Sequence, residues 1–258
     1  MPQNRRLAAF LRPCGMIWFS ICLHWEAFKE AVRQDGLGAL ARLPQIRNAA
    51  IAKLFCTTSN GFIAFEDTTI VPSLVQAASG VVVELGPGSG NQIHRFDASL
   101  VSYIYGVEPN PQYKNEINAK VEKHGLRGKY KLIASGIEDS NVLREEGITE
   151  GSLDSVLCIQ VLCAVQDPKT VMKEVWKLLK PGGKFIFWEH GWSKNHLTIA
   201  EQALLNPAWS TFLGCRMTRN VLGDILDSGE WENPDDIEAP EDPFSCLPRI
   251  QGVLVKKA

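Results

Sequence analysis

The fold of this chain is decided by the stretch Val81-Val82-Val83-Glu84-Leu85-Gly86-Pro87-Gly88-Ser89-Gly90-Asn91. Its first residues are apolar and mostly β-branched, which is typical of a buried strand. Three glycines follow at alternate positions. Glycine allows a sharp turn and a close approach of the backbone to a ligand, and the start of a helix offers free N–H groups. The stretch therefore predicts a strand, a ligand-binding turn and a helix, in that order.

Beyond Gly80, short apolar runs alternate with helical patterns. The predicted strands are Val81–Leu85, Tyr103–Val107, Tyr130–Ala134, Leu153–Ile159, Lys184–Trp188 and Ile250–Val255. Helices are predicted between them, at Pro111–His124 and Pro168–Leu179. Strands that are apolar throughout and separated by helices belong to parallel sheets with both faces covered. We therefore predict an α/β fold with a doubly wound, mostly parallel sheet.

The region before Gly80 has a different character. Residues 26–78 are rich in alanine, leucine, isoleucine and arginine and have few β-branched runs, which indicates helices. The cluster Thr57-Thr58-Ser59-Asn60-Gly61 is typical of a turn, so a break is expected there. We predict a helical N-terminal extension over residues 1–79 and an α/β domain over residues 80–258.

An apolar stretch near the N-terminus, residues 7–25, allows two interpretations. Its uninterrupted apolar part, Pro13–Leu23, is only eleven residues long, whereas a membrane-spanning helix needs about 20. One interpretation is a peripheral membrane anchor. The lipid headgroups would contact its aromatic residues Trp18, Phe19 and Trp25, and anionic lipid would bind the flanking Arg5 and Arg6. The other is a helix that packs on the domain as a lid.

Composition and charge exclude several classes of protein. The chain is 45% apolar, which is enough for a sizeable core and excludes a disordered chain. Lys plus Arg number 27 against 29 Asp plus Glu, whereas a nucleic-acid binder would carry a basic excess, so no nucleic-acid partner is predicted.

The seven cysteines form no C-x-x-C pair, so their spacing predicts no metal site and favours reduced thiols inside the cell. We expect a cytoplasmic location or peripheral association with an internal membrane; the sequence does not predict the oligomeric state.

The spacing of the glycines discriminates between ligands. A dinucleotide-binding turn has the pattern G-x-G-x-x-G, but Asn91 stands where its third glycine would be. Glu84 would also repel a pyrophosphate, whereas it suits a cationic ligand. The hydrolase pattern G-x-S-x-G is absent too, because Ser89 directly follows Gly88.

Glu84 to Gly90 resembles the E/D-x-G-x-G-x-G motif of the class I methyltransferases that use S-adenosylmethionine. The resemblance extends from Val81 to His190 and implies a Rossmann-like sheet of seven strands with this cofactor. Glu108 matches the acidic residue that binds the ribose hydroxyls in that family, and Gly136-Ile137-Glu138-Asp139 matches the segment beside the adenine ring. The implied cofactor-binding residues are Glu84, Gly86, Pro87, Gly88, Gly90, Glu108, Pro109, Asn110, Ile137, Glu138, Cys158 and Gln160.

A finer resemblance is to the small membrane-associated methyltransferases, which include mammalian thiol S-methyltransferases, and to related fungal sequences. It rests on four segments: Val107-Glu108-Pro109-Asn110, Val161-Leu162-Cys163-Ala164-Val165-Gln166-Asp167, Trp188-Glu189-His190 and Gly214-Cys215-Arg216-Met217-Thr218-Arg219. Those proteins have a hydrophobic N-terminal anchor, which favours the membrane interpretation of residues 7–25.

Methyl transfer from a sulfonium needs alignment of donor and acceptor more than covalent help from the protein. Ligands of such sheets bind at the carboxyl ends of the strands, where the candidates are Cys158, Gln160, Cys163, Glu189 and His190. His190 is the candidate general base, because the pKa of an unperturbed histidine lies near neutrality. The alternative is that His190 only holds a loop by hydrogen bonding. Cys163 is either a reactive thiol or a buried core residue.

The acceptor is expected to be a small, apolar molecule. Residues 206–212 include Trp209 and Phe212 and are expected to form the floor of its pocket, with Trp18, Phe19, Phe62 and Phe65 above it. The predicted function is methyl transfer to a thiol, hydroxyl or amine in secondary metabolism or detoxification. The alternatives are a catalytically silent cofactor-binding partner of another enzyme and a nicotinamide-dependent reductase.

Overall fold

The central sheet has six strands in the computed structural model, which describes residues 2–240 and 245–258. The strands are β1 Gly80–Leu85, β2 Val101–Val107, β3 Tyr130–Ile133, β4 Leu153–Ile159, β5 Leu179–His190 and β6 Arg249–Val255. Their order is β3-β2-β1-β4-β5-β6, and only β6 runs antiparallel to its neighbour. The predicted mostly parallel α/β fold is therefore confirmed.

The predicted strand number, seven, differs from the six strands of the described part of the chain. The segment Trp231–Glu238 runs beside β6 but joins it through two isolated bridges at its ends, Trp231 to Lys256 and Glu238 to Gln251. Between them lies the 3₁₀ turn Pro234–Asp236. Because proline has no N–H to donate and the turn is not extended, no continuous ladder forms there.

Eight α-helices accompany the sheet in the described residues. They are α1 Pro2–Asp35, α2 Leu43–Glu66, α3 Val71–Gln76, α4 Lys114–Lys123, α5 Ser140–Glu145, α6 Pro168–Leu178, α7 His196–Leu213 and α8 Val221–Leu226. The break expected at residues 57–61 is wrong, because α2 runs through it. The polar side chains there have partners that leave the helix intact. Thr58 Oγ1 donates to the carbonyl of Leu54, and Ser59 Oγ donates to Asn91 Oδ1.

The helix expected after the glycine turn is also wrong. Only the short 3₁₀ turn Ile93–Arg95 forms before β2. Its Arg95 side chain is buried and binds the carboxylates of Glu66 and Asp67 at the end of α2, at 2.8 and 2.7 Å. The C-terminal half of α2 and the following α3 pack on this face of the sheet, where a helix after the turn would otherwise lie.

Two apolar layers enclose the sheet. On one face, β-strand side chains such as Ile104 and Leu157 pack against α3 and α4. On the other, side chains such as Val83 and Phe185 pack against α5, α6 and α8. Both faces are therefore buried, as the uniformly apolar strands predict.

The N-terminal helix α1 packs on α2 and α7. Its inward residues Ile17 and Leu23 join an apolar cluster with Leu54 and Trp209. None of the helices that the structure describes is both long enough and apolar enough to cross a membrane. The boundary between residues 79 and 80 falls at the start of β1, and the division into two regions stays a prediction.

Candidate functional site

A large cavity lies at the carboxyl ends of β1, β2 and β4. It has a volume of about 1030 Å³, and residues of α1, α2 and α7 also line it. Ten of the twelve sequence-predicted cofactor residues line it: Glu84, Gly86, Pro87, Gly88, Glu108, Pro109, Asn110, Ile137, Glu138 and Gln160. Such a volume is at the upper end of the range for small-molecule sites, which leaves room for two ligands side by side.

The glycine turn forms one wall of this cavity. Gly86 and Gly88 have φ angles of +51° and +52°, which side-chain-bearing residues rarely adopt. A Cβ atom on Gly86 would lie 2.8 Å from Val161 Cγ1, so this glycine is also required by space. Gly90, although predicted as a ligand contact, is not part of the cavity wall and packs instead against Ile93.

Glu108 follows β2 and presents a buried carboxylate to the cavity. Its two oxygens accept hydrogen bonds from the backbone N–H groups of Gly88, at 3.1 Å, and of Asn110, at 2.8 Å. Burial raises the pKa of Glu108, although these two bonds oppose the effect. Each carboxylate oxygen can accept further bonds, so Glu108 can still receive hydroxyl donors from a ligand.

Glu84 is the second-last residue of β1, and its buried side chain lines the cavity. Tyr130 donates its hydroxyl to Glu84 Oε2 at 2.7 Å and passes over Gly106, where any side chain would collide with the ring. The other oxygen, Oε1, is buried and has no hydrogen-bond partner in the described residues. Burial is the main cause that raises the pKa of Glu84 to about 7. A cationic donor from a ligand would satisfy this free oxygen.

The raised pKa of Glu84 predicts a pH-dependent stability of the ligand-free protein. The folded state holds this proton up to about pH 7, whereas the unfolded chain releases it near 4.5, so stability is lost as the pH rises from about 4.5 to about 7. The loss is on the order of 3 kcal/mol. Glu84→Gln cannot ionise, so we expect its stability, measured by urea unfolding, to fall less than that of the wild type between about pH 5 and about pH 8. The exposed Glu122→Gln is the control, and equal pH dependence in Glu84→Gln and wild type would contradict the prediction.

Gln160 and Glu66 connect the sheet to α2. Gln160, directly after β4, has a φ of +61°, a strained conformation for a residue other than glycine. Its Nε2 donates to Glu66 Oε1 at 3.3 Å, and Glu66 also accepts from Gln92 Nε2 at 3.0 Å. Glu66 lines the cavity. It was not predicted from the sequence, because a single glutamate at the end of a helix is not part of a recognisable motif.

Cys158 and Glu189 lie beneath the cavity wall. The structure does not place Cys158 on that wall, because its side chain points into the core and its thiol donates to Glu189 Oε1 at 3.3 Å. The same oxygen accepts from the backbone N–H groups of Val161 and Leu162, at 2.6 and 3.2 Å. Burial raises the pKa of Glu189 to about 7. Glu189 therefore holds the loop after β4.

His190 meets two cysteines at the far end of the cavity. Its Nε2 lies 3.0 Å from Cys215 Sγ, and its Nδ1 is buried without a partner in the described part of the chain. Burial would raise the pKa of Cys215, but hydrogen bonds with Cys163 and contact with His190 outweigh it, and the pKa of Cys215 lies well below its ordinary value. The sequence indicated Cys163 and His190, whereas Cys215 was noted only within a motif.

Aromatic side chains also line the cavity. Phe62, Phe65 and Trp209 are on its wall, as expected, and Phe55 joins them. The expectation for Trp18 and Phe19 is wrong. Both lie on the outer side of α1, where Trp18 is 68% exposed, because the inward side of that helix is occupied by the core cluster around Ile17.

Comparison with known proteins agrees with this geometry. The family described as "Methyltransferase domain" matches residues 83–187. The chain is 31% identical over 192 residues to the thiol S-methyltransferase TMT1B of Homo sapiens, covering 69% of this chain and 72% of the relative. It is 30% identical over 187 residues to the TMT1B of Rattus norvegicus, covering 68% and 70%. An O-methyltransferase family protein from Burkholderia thailandensis has the same fold, with a TM-score of 0.59 at 15% identity, covering 95% of this chain and 72% of that one.

The sheet order, the glycine turn with its acidic partners and these similarities all lead to the same family. The chain belongs to the class I S-adenosylmethionine-dependent methyltransferases, in a branch similar to the mammalian thiol S-methyltransferases.

Proposed function

We propose that this chain methylates the sulfur of a small, apolar thiol. The observation that carries the proposal is the continuity of one cavity. Its wall includes the glycine turn and Glu108, and it also includes aromatic side chains, His190 and Cys215. A donor and an acceptor held in one cavity can be aligned, which supplies much of the acceleration of such a transfer. Similarity to thiol S-methyltransferases supports a thiol over a hydroxyl or an amine.

The residues of the cavity wall at the ends of β1, β2 and β4 fit S-adenosylmethionine. In our proposal, Glu108 accepts hydrogen bonds from the ribose hydroxyls, and Ile137 with Glu138 lies beside the adenine ring. The unpartnered Glu84 Oε1 receives a donor from the cationic methionine end, beside Gly86 and Gln160. When bound, this cofactor supplies a methyl group on a positively charged sulfur.

The aromatic residues of the cavity wall would hold the acceptor, and His190 would assist the loss of its proton. Phe62, Phe65 and Trp209 exclude water and favour an apolar ligand. His190 is the only histidine among the described residues of the cavity wall, so we propose it as the catalytic residue that assists loss of the acceptor proton. The acceptor sulfur then gains the methyl carbon while the sulfonium–methyl bond breaks, and the electron pair of that bond stays with the departing thioether.

Three acceptors with the same ring test this proposal: thiophenol, phenol and aniline. With labelled cofactor, we expect methylation of thiophenol at least about tenfold faster than of the other two. With phenylmethanethiol, whose thiol is protonated at neutral pH, His190→Ala should lower the rate by about 10²-fold or more if His190 assists proton loss, whereas the exposed His196→Ala should not change it. Methylation of phenol or aniline alone would overturn the thiol assignment. Calorimetric cofactor binding without any product would instead support the silent binding partner.

A peripheral membrane contact through residues 7–25 is a separate proposal. Leu11, Trp18 and Trp25 are spaced by seven residues on α1 and are 54%, 68% and 59% exposed, so they form one apolar stripe on its outer side. The side chains of Arg5 and Arg6, expected to contact anionic lipid, lie outside the described residues. One helix can present this stripe to lipid while its inward side serves as the lid.

Flotation with anionic vesicles tests the membrane contact. We expect the wild type to float and Trp18→Ser with Trp25→Ser to partition at least about tenfold less, because each buried aromatic side chain contributes roughly 1.5–3 kcal/mol. Trp192→Ser, which removes a 52% exposed tryptophan elsewhere, is the matched control. If the wild type does not float, the lid interpretation alone remains.

A further inference from the structure

Cys163, His190 and Cys215 come from three separate parts of the chain and meet at one point. Cys163 is in the loop after β4, His190 ends β5, and Cys215 follows α7. One potential ligand atom of each, two sulfurs and an imidazole nitrogen, lies within 4.8 Å of the other two. The long spacing of these residues in sequence explains why no metal site was predicted from the cysteines.

The backbone holds these three residues in place without any ligand. The N–H of Arg216 donates to the carbonyl of Cys163 at 2.9 Å, which ties the two cysteine-bearing segments together. Glu189, adjacent to His190, accepts the N–H groups of Val161 and Leu162 and so fixes the loop that carries Cys163. The segments that carry the three ligand atoms are therefore held together by contacts that do not involve those atoms.

The donor set suits a thiophilic divalent cation. Zinc binds sulfur at about 2.3 Å and nitrogen at about 2.1 Å, so its tetrahedral ligands stand about 3.5–3.8 Å apart. The 4.8 Å cluster accommodates these distances if the 3.0 Å contact of His190 with Cys215 widens by about half an ångström. Two cysteines and one histidine also form a known catalytic zinc set, in which the fourth position is open. Two thiolates would neutralise the charge of the ion.

All three residues line the cavity, so an open fourth position would face the acceptor end. We propose that Cys163, His190 and Cys215 form a zinc site whose free position binds the acceptor thiol. The acceptor part rests on the proposed function. The thiol loses its proton to solvent and its sulfur donates an electron pair to the metal, because a coordinated thiol is deprotonated. His190 then promotes proton loss through the metal that it binds and does not accept the proton itself.

Cobalt titration of the reduced, full-length protein tests the site directly. We expect one Co²⁺ per chain, with the intense near-ultraviolet band of thiolate coordination and the visible bands of a tetrahedral ion. Cys163→Ser and Cys215→Ser should each weaken binding at least about tenfold or lose the thiolate band, while Cys22→Ser, in α1, should behave as the wild type. No thiolate band in the wild type, or an unchanged band in both variants, would overturn the proposal.

A second measurement needs no variant. Zn²⁺ should protect Cys163 and Cys215, but not Cys22, from alkylation by iodoacetamide, as mapped by mass spectrometry. A disulfide between Cys163 and Cys215 under reducing conditions, or labelling unaffected by Zn²⁺, would overturn the metal site.

Addition of 2-mercaptoethanol to the cobalt form tests the open position. We expect the thiolate band to intensify and shift, and an unchanged spectrum would overturn the acceptor part alone. Because these readouts require no methyl transfer, a protein that binds cobalt as expected yet methylates no thiol would refute the proposed function and leave the metal site standing.

Discussion

Gly86→Arg is expected to weaken S-adenosylmethionine binding by more than about 100-fold, to below detection in a calorimeter. The backbone at Gly86 has a φ of +51°, which a side chain strains, and its Cβ would lie 2.8 Å from Val161 Cγ1. Valine is branched at Cβ and has little rotamer freedom to yield. The rest of the arginine side chain has to enter the cavity, where it competes with the ligand for space and adds a positive charge beside a cationic ligand.

A matched variant separates this steric effect from general destabilisation. Gly125 has a similar φ of +70° but nothing within 4 Å of its Cβ position. Gly125→Arg therefore imposes comparable backbone strain far from the cavity. Both variants should lose stability in thermal unfolding, whereas only Gly86→Arg should lose binding. If Gly86→Arg bound the cofactor like Gly125→Arg, the cavity would not be the cofactor site.

Glu108→Ala is expected to weaken cofactor binding roughly 10- to 150-fold. This range corresponds to about 1.5–3 kcal/mol, the usual contribution of hydrogen bonds to a charged group. The carboxylate is buried and already oriented by the N–H groups of Gly88 and Asn110, so it loses little freedom when it accepts two further donors. Its removal also leaves these two N–H groups without their acceptor, which adds to the loss.

A ligand lacking the hydroxyls shows whether Glu108 binds the ribose. The 2′,3′-dideoxy analogue of S-adenosylhomocysteine should bind the wild type more weakly than the natural compound, and Glu108→Ala should bind both with similar affinity. Equal weakening of both ligands by the substitution would mean that Glu108 only shapes the turn.

The sheet was predictable because its strands carry a local signal. β4 has the bounds that were predicted, Leu153–Ile159, and the other strands differ only at their ends. Tertiary contacts overrode local preferences elsewhere. The turn residues around Ser59 remain helical because their hydroxyls donate to acceptors such as Asn91 Oδ1. The segment after the glycine turn does not form a long helix because its Arg95 binds the carboxylate of Glu66.

The wall formed by the glycine turn and Glu108 was predictable for the same reason, since its glycines and carboxylates lie within short motifs. The rest of the cavity wall was predictable only in part. Glu66, Phe55 and Cys215 reach the cavity from α2 and from the segment after α7, and their positions depend on how those helices pack. No spacing in the sequence encodes that packing, so Cys163, His190 and Cys215 are recognisable as one cluster only in the folded chain.

The buried pair of Arg95 with Glu66 has a consequence for how the protein opens. Separating the end of α2 from the glycine-turn region would break this ion pair and also the hydrogen bonds that Glu66 accepts from Gln92 and Gln160. The helix α1 is held mainly by apolar contacts and by a hydrogen bond from Ser20 to the carbonyl of Phe212. Local unfolding should therefore begin at α1. In hydrogen exchange, the amides of α1 should lose protection before those of the last two turns of α2. Because residues of α1 line the cavity, its opening would expose a bound ligand.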